Sequence, residues 1–345
     1  MARFLVTGGS GFFGSLLLNK LLADGHDCMS IDLLPNSIKH TNLKSIEGDI
    51  RDFALIESVF RDNEFEAVFH CAAILAHGNT NDNFLWTTNV DGSKNIANAC
   101  KEYGVKKLIF LSSNCLWGEP KDKPVTENDE PAPIEIYGRS KLEAENILLK
   151  YAPNIEVVIL RCPTIIDEGR LGLLALLFEF IADGKKVWII GNGRNRYQFI
   201  YAKDLIRACQ LCVQSPIIGI FNIGSDNVPT FAEMYSELIK HAKTKARIAF
   251  LPKKPAVTAL RILSFFRLSP LGPYHYKMIA ESFVFSTEKI KKALSWEPTL
   301  KNDEMLKLAY DYYRSNNHEK TDNAELSPHR KKSPMGIIRI IKWIS

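Results

Sequence analysis

Tyr137 and Lys141 stand four residues apart in Tyr137-Gly138-Arg139-Ser140-Lys141, which opens a helix-forming run, Leu142-Glu143-Ala144-Glu145. Residues at i and i+4 share one helical face. An ammonium beside a phenol favours phenolate and lowers the tyrosine pKa, so the tyrosine can serve as a general acid or base near neutral pH. Alone, a Tyr/Lys pair at this spacing also describes an ordinary exposed amphipathic turn. Ser113, 24 residues upstream at the end of an apolar run, supplies a third group. Its hydroxyl can hold a substrate oxygen while Tyr137 moves the proton on that oxygen. The chemistry such a trio supports is interconversion of a carbinol and a carbonyl.

A second stretch supplies a place for the hydride carrier that this chemistry needs. Val6-Thr7-Gly8-Gly9-Ser10-Gly11-Phe12-Phe13-Gly14 follows the apolar run Phe4-Leu5-Val6 and precedes Leu16, Leu17, Leu21 and Leu22 at helical spacing. It reads as strand, tight glycine turn, helix. Gly8 permits the turn, Gly11 lets backbone approach a pyrophosphate, and Gly14 lets the helix pack close to the strand. The helix N-terminus presents unpaired N–H groups and a positive dipole end to phosphate. Asp32 follows 18 residues after Gly14, at the end of Met29-Ser30-Ile31, where an acceptor for a ribose 2′-hydroxyl belongs. A carboxylate there repels a 2′-phosphate, and Leu33 and Leu34 rather than arginine come next, so NAD is expected over NADP.

The elements that must position these groups alternate. Strands are expected at 3–7, 28–32, 43–47, 67–70 and 107–112, and helices at 12–24, from an Asp52 N-cap to about 62, and at 82–103. Strands alternating with helices mean crossover units and a doubly wound parallel α/β sheet, the Rossmann architecture. Ligands of such sheets sit beyond the carboxyl ends of the strands, where Gly8, Asp32, Asp49, Ala72 and Ser113 all fall. Farther on come an apolar helix over 171–182, a strand at 187–190 and a helix over 230–243 with a Thr230/Glu233 capping box. The apolar stretch 251–285, with Leu260, Phe265, Tyr274, Tyr276 and Phe283, reads either as substrate-domain core and lid or as a greasy pocket mouth. The expected division is a cofactor-binding domain over 1–165, with elements also from about 185–225, a substrate-binding part over 166–315, and a polar linker over 316–333. A basic amphipathic tail over 334–345 is too short to span a bilayer but could lie in a membrane interface.

Composition narrows the class. The chain has 345 residues, 46% hydrophobic and 24% charged, with a net charge of +5 concentrated towards its end. These values suit a soluble globular protein and give little reason to expect nucleic acid. Seven cysteines lie scattered without framework spacing, and no signal peptide is read, so free thiols in a reducing cytoplasm are expected. Cys209-x-x-Cys212 has no second pair and reads as two buried helix thiols; no metal is expected.

Taken together, these motifs resemble the extended short-chain dehydrogenases/reductases, the NAD-dependent epimerase/dehydratase group, over about residues 1–315. They include the glycine turn, Gly48-Asp49-Ile50, His70-Cys71-Ala72-Ala73, Asn89-Val90-Asp91-Gly92, Ser112-Ser113 with Gly118, Tyr137 to Lys141, Leu160-Arg161-x-Pro163, Tyr201-x-x-Asp204 and Trp296-Glu297-Pro298. The resemblance implies that Gly8, Gly11, Phe12, Phe13 and Gly14 contact the cofactor pyrophosphate and that Asp32 binds the adenosine ribose. It implies that Asp49 and Ile50 bracket the adenine, Ala72 and Ala73 line the nicotinamide side, and Pro163 sits near the carboxamide. Tyr137 is then the acid/base, Lys141 binds the nicotinamide ribose and tunes Tyr137, Ser113 holds the reacting oxygen, and Asn89 supports the substrate site. A homodimer is expected from relatives.

Three departures concern the substrate. Leu116-Trp117-Gly118 replaces Val-Tyr-Gly, putting Trp117 at the pocket wall. Tyr197 stands seven residues before Asp204, where sugar-nucleotide epimerases place a diphosphate-gripping arginine, with Arg194 and Arg196 adjacent but out of register. Ile166-Asp167-Glu168-Gly169-Arg170 replaces the segment VYGP. The leading expectation is an epimerase or dehydratase working through a keto intermediate on a sugar carried on a nucleotide or lipid diphosphate. The alternatives are a 3β-hydroxysteroid-dehydrogenase-like reductase of an apolar alcohol or ketone, and a non-catalytic NAD-binding module.

Overall fold

The structure, a computed structural model, describes residues 1–76, 80–119, 123–170, 172–265 and 280–316. Six strands, β1 (Arg3–Thr7), β2 (Asp27–Asp32), β3 (Leu43–Glu47), β4 (Ala67–His70), β5 (Lys107–Ser113) and β6 (Glu156–Cys162), join β10 (Gly219–Asn222) in one sheet. Its order is β10-β6-β5-β4-β1-β2-β3, and every pairing is parallel. Parallel sheets are covered on both faces, and the alternation within each strand shows which residue goes where. Phe69, Ile109, Val158 and Leu160 face the layer of α1 (Phe12–Ala23) and α6 (Ala202–Gln214), with Leu17, Leu21, Leu205 and Cys209. Val68, Leu108, Phe110, Val157 and Ile159 face α2 (Phe53–Arg61), α3 (Asp82–Glu102) and α4 (Ile136–Leu149), with Phe60, Ile96 and Leu148.

Outside this sheet, β7 (Thr164–Ile166) pairs with β9 (Phe199–Tyr201), and β8 (Lys186–Ile190) pairs with β11 (Arg247–Leu251). From the 185–225 stretch only β10 enters the main sheet, with α6 packed on it. A second core forms among α5 (Leu174–Ala182), α7 (Phe231–Ala242) and α10 (Asn302–Asn316), built on Phe178, Phe199, Phe231, Tyr310 and Tyr313. Two further helices are α8 (Lys253–Phe265) and α9 (Glu288–Leu294).

Local signals set the helix starts. The Asp52 carboxylate accepts from Leu55 N–H at 3.1 Å, and Thr230 and Glu233 form the reciprocal capping box of α7. The apolar helix expected from 171 begins at Leu174. Phe283 and Phe285 pack edge-on against each other, Phe285 edge-on and Phe283 tilted against Trp117, in the second core, so at these residues the stretch is core and not pocket mouth. Residues 266–279, including Tyr274 and Tyr276, and the segment 317–345 with the expected tail over 334–345, lie outside the described residues. Among the described residues no helix is long and apolar enough to cross a membrane. None of the seven cysteines is in a disulfide, and Cys209 and Cys212 are both buried in α6.

Candidate active site

Three strand ends build one crevice. At the end of β1, Gly8 turns with φ 73°, and a Cβ at Gly14 would lie 2.1 Å from the Gly8 carbonyl oxygen, so only hydrogen fits where α1 crosses the turn. Gly11 is the N-cap of α1, with no side chain closing the first N–H groups. Phe12 and Phe13 are both buried, Phe13 in the core under α1 and Phe12 with its ring 5.5 Å from the Arg170 guanidinium. At the end of β2, Asp32 accepts from Ser10 N–H at 2.9 Å and Leu34 N–H at 3.0 Å. Burial raises its carboxyl pKa, while those N–H groups pull the other way. A pocket of about 210 Å³ opens beside it, lined by Ser10, Ser30, Leu34, Asn36 and Ile46 among others. An open helix N-terminus next to an acid-floored pocket fits a dinucleotide: phosphate on the turn, ribose on Asp32. Asp32→Ala is expected to weaken NAD binding by roughly tenfold or more, from loss of charge-assisted hydrogen bonds, and NADP binding much less; equal losses in titrations with both would contradict this.

Asp49 and Ile50, expected to bracket the adenine, follow β3. The Asp49 carboxylate is chelated by the Arg51 guanidinium at 2.6 to 3.1 Å, and Ile50 is buried against Gly92. Both stand in the loop between β3 and α2, at the same edge of the sheet as Asp32.

A continuous polar chain runs under the crevice, from the glycine turn to the helix carrying Tyr137. Ala72 N–H, just past β4, donates to Thr7 Oγ1 at 3.2 Å, and Thr7 Oγ1 meets His70 Nδ1 at 2.6 Å. His70 Nε2 meets Ser93 Oγ at 2.8 Å. Ser93 donates its one hydroxyl proton to the Asn89 carbonyl at 2.6 Å. So Nε2 must carry the imidazole proton, and Nδ1 accepts from the Thr7 hydroxyl. The Asn89 amide then closes on Ile74 N–H, the Ile74 carbonyl and Ser140 Oγ at 2.8 to 3.0 Å, and Ser140 Oγ donates to the Tyr137 carbonyl at 2.8 Å. Every polar atom of the Asn89 side chain is used within the protein. From α3, where it is expected to support the substrate site, it ties the 72–74 loop to the first turn of α4.

Burial depresses the pKa of His70 to about 3, so it stays neutral in the fold. Unfolded, it takes a proton below about 6.5. Its contribution is therefore complete above about pH 6.5 and is lost as pH falls towards 3, at up to about 1.4 kcal/mol per pH unit. Denaturant titrations should show that acid slope reduced by one proton in His70→Asn; an unchanged slope would contradict it.

The catalytic candidates meet where β5 hands over to α4. Ser113 caps a short 3₁₀ turn, Asn114–Leu116, accepting from Cys115 N–H at 3.1 Å. Gly138 lets α4 sit directly on that turn: a Cβ there would be 2.2 Å from the Cys115 carbonyl oxygen. The close approach brings the Ser113 hydroxyl near enough to the Tyr137 phenol to favour its ionised form. Burial pushes the phenol above its ordinary pKa of 10; the Ser113 hydroxyl and the Arg170 guanidinium pull it down. Lys141 is buried, its ammonium 4.0 Å over the Phe110 ring, and burial lowers its pKa to about 8 against the raising influence of Glu145 and of the Cys71, Cys162 and Cys115 thiols. Lys141 stands one turn beyond Tyr137 on α4, the position from which it is expected to tune the phenol.

Glu145, one turn beyond Lys141, forms a fork-to-fork pair with Arg161 of β6 at 2.7 to 3.2 Å, both side chains fully buried. Arg161 also lies 5.0 Å from the Trp117 ring. Pro163, next to it, is buried between β6 and β7. Ala72 and Ala73 flank the crevice, half-buried at the end of β4.

The remaining substrate candidates divide. Trp117 is 1% exposed, its indole N–H donating to the Glu130 carbonyl, so it is a core residue and not a pocket wall. Arg196 is exposed and its guanidinium binds the Val228 carbonyl, so it does not stand in for an arginine at 197. Tyr197 is buried, its hydroxyl accepting from Asn114 Nδ2 at 2.9 Å and 3.2 Å from Thr164 Oγ1. Sequence reasoning passed over Thr7, Ser93, Ser140, Asn114 and Arg170. Ser140 was visible as the residue before Lys141, on the helical face turned towards α3, whereas the others needed the three-dimensional neighbours.

A doubly wound sheet with a phosphate-ready glycine turn, a ribose acid and a Ser/Tyr/Lys cluster at its carboxyl edge defines a dinucleotide-dependent oxidoreductase-type enzyme. Residues 4–224 match the model of the NAD dependent epimerase/dehydratase family, and the chain belongs to that family. It is an NAD-dependent enzyme of the epimerase/dehydratase type. It is 36% identical over 315 residues to the uncharacterized protein y4nG of Sinorhizobium fredii, covering 90% of this chain and 78% of that one. It is 36% identical over 289 residues to a UDP-glucose 4-epimerase of Bacillus subtilis, covering 73% of this chain and 85% of the relative. A UDP-glucose 4-epimerase of Thermotoga maritima, solved with UDP-glucose, superposes with a TM-score of 0.74 at 27% identity, covering 92% of this chain and 100% of that one.

Proposed function

We propose that this enzyme oxidises a ring carbinol of a nucleotide-linked sugar to a keto intermediate and then returns the hydride, either to the opposite face of the same carbon, giving the epimer, or, after the keto sugar has lost water, to the carbon that lost its hydroxyl, giving a dehydrated keto sugar. The observation that carries this reading is the placement of Ser113 and Tyr137 against one another by Gly138, at the crevice edge shared with the glycine turn. The relatives' sugar-nucleotide activities support the substrate class. Gly11 and the first N–H groups of α1 would hold the NAD pyrophosphate, Asp32 the adenosine ribose and Lys141 the nicotinamide ribose; when bound, NAD accepts and returns a hydride.

Ser113 donates a hydrogen bond to the reacting oxygen and fixes its distance from Tyr137. Tyr137 takes the carbinol proton as the C–H bond breaks and gives it back on reduction. Its raised pKa keeps it protonated at rest, so it needs the Ser113 hydroxyl and a nearby cation to ionise. The His70–Ser93–Asn89–Ser140 chain holds Tyr137 in register with the turn at Gly8. A homodimer remains part of this proposal. The test is incubation of the purified protein with UDP-glucose and related sugar nucleotides. Epimer or dehydrated product without net NADH supports the reading; NADH accumulating only with an apolar alcohol would transfer it to the reductase class.

A further inference from the structure

Residues 238–265, which run from the end of α7 through β11 into α8, carry seven lysines and arginines and not one aspartate or glutamate. The first acids on either side in the sequence, Glu237 and Glu281, pair with Lys240 at 2.7 Å and Lys253 at 2.5 Å. Among the described residues Lys243, Lys245, Arg247, Lys254 and Arg261 have no ion-pair partner. The register of the small sheet also sets Arg247 of β11 beside Lys186 of β8. Like charges side by side weaken a sheet, so this concentration of cations runs against the stability of the element that carries it.

The same face is apolar where it meets water. On α8 the half-buried side chains are Ala256, Val257 and Leu260, which fixes the inner side of the helix. Pro255, Ala259 and Ile262, at i, i+4 and i+7, form an outward ridge, and all three are exposed, Ile262 by 53%. Lys254 and Arg261, seven residues apart and both exposed, run along one flank of that ridge. Phe250, at the end of β11 just before the helix, is 51% exposed. A surface helix of a globular domain turns a polar face outward; α8 instead presents an aliphatic ridge edged by cations.

We propose that the face formed by β11 and α8 docks on an anionic lipid bilayer, with α8 lying in the plane of the interface. The two properties of the face select this partner. A second copy of the chain would bring the same unpaired cations against these. A nucleic-acid backbone would use the cations and leave the ridge of Pro255, Ala259 and Ile262 idle. An anionic bilayer uses both: lipid phosphates meet the lysines and arginines while Ile262 and Phe250 enter the boundary between head groups and acyl chains. The inference is independent of the nucleotide-sugar reading, because none of these residues belongs to the crevice of Ser113 and Tyr137.

The experiment uses the full chain and measures co-sedimentation with vesicles of phosphatidylcholine, alone and mixed with phosphatidylglycerol, at low and high salt. Binding is expected to the mixed vesicles only and to weaken as salt rises. Lys254→Gln combined with Arg261→Gln should lower vesicle affinity by roughly 20-fold, at about fivefold for each cation removed. Phe250→Ser combined with Ile262→Ser leaves the charge unchanged and should still lower it by roughly tenfold, from lost apolar burial. Both double variants change exposed side chains, so the thermal midpoint and NAD affinity should hold, and both keep residues 334–345, so the loss belongs to this face. Absence of binding to the phosphatidylglycerol vesicles overturns the proposal, as does undiminished binding by both double variants. If a DNA oligonucleotide displaces the vesicles and the Phe250/Ile262 variant binds them as the wild type does, the face is a polyanion site and the proposal also fails.

Discussion

Tyr137→Phe is expected to lower kcat by roughly 10²- to 10⁴-fold, the contribution of a positioned general acid or base, while NAD remains bound. The substitution removes one oxygen and leaves the ring, so the approach of α4 to the Cys115 carbonyl through Gly138 is kept. The polar chain through Ser140 also survives, because it ends on the backbone carbonyl of Tyr137 and not on the phenol. Single-turnover measurements with bound cofactor separate this from a binding defect: the chemical step should collapse with substrate affinity little changed. A non-catalytic NAD-binding module would be indifferent to the change.

The second large effect is structural and reaches the site indirectly. Glu145→Ala is expected to destabilise the protein by about 3–5 kcal/mol, because it leaves the Arg161 guanidinium buried without its counter-charge. Arg161 and Glu145 are 3% and 1% exposed, and Arg161 lies between the sheet and the Trp117 ring, where water cannot replace the carboxylate. The denaturation midpoint should fall with little change in slope. Glu145 also raises the pKa of Lys141 against burial. Lys141 is an ammonium only below about 8, so activity requiring that charge is lost as pH rises through about 8. In the milder Glu145→Gln variant that alkaline limb should move to lower pH; a limb that stays in place would remove Glu145 from the electrostatics of the site.

What could be read from the sequence follows from the range of each interaction. The glycine turn, the Asp52 and Thr230 caps and the alternation of strand and helix are local, and a glycine needed at Gly8 or Gly14 announces itself by type. Both catalytic candidates on α4 and the serine on β5 were likewise placed by short spacings. The network beneath them was not legible, because Thr7 reaches His70 across 63 residues and Asn89 reaches Ser140 across 51. Nothing adjacent to Asn89 tells that its amide is consumed by Ile74 and Ser140. Trp117 looked like pocket wall because Phe283 and Phe285, which cover it, lie far along the chain. Burial was not legible either: the Tyr/Lys spacing suggests a charge interaction, and burial is the larger influence on both groups. Arg170 escaped because the substituted segment 166–170 fits no expected motif, and only the fold brings it to the Phe12 ring beside the glycine turn.

The central claim is that hydride leaves and returns to the same sugar through a keto intermediate handled by Ser113 and Tyr137. The most direct measurement uses a mixture of unlabelled sugar nucleotide and sugar nucleotide carrying deuterium at the carbinol carbon, with product analysed by mass spectrometry. The account predicts that product from labelled substrate keeps its deuterium, that none crosses to unlabelled molecules, and that no net NADH accumulates. Deuterium lost to solvent, or accumulating in released NADH, would contradict it.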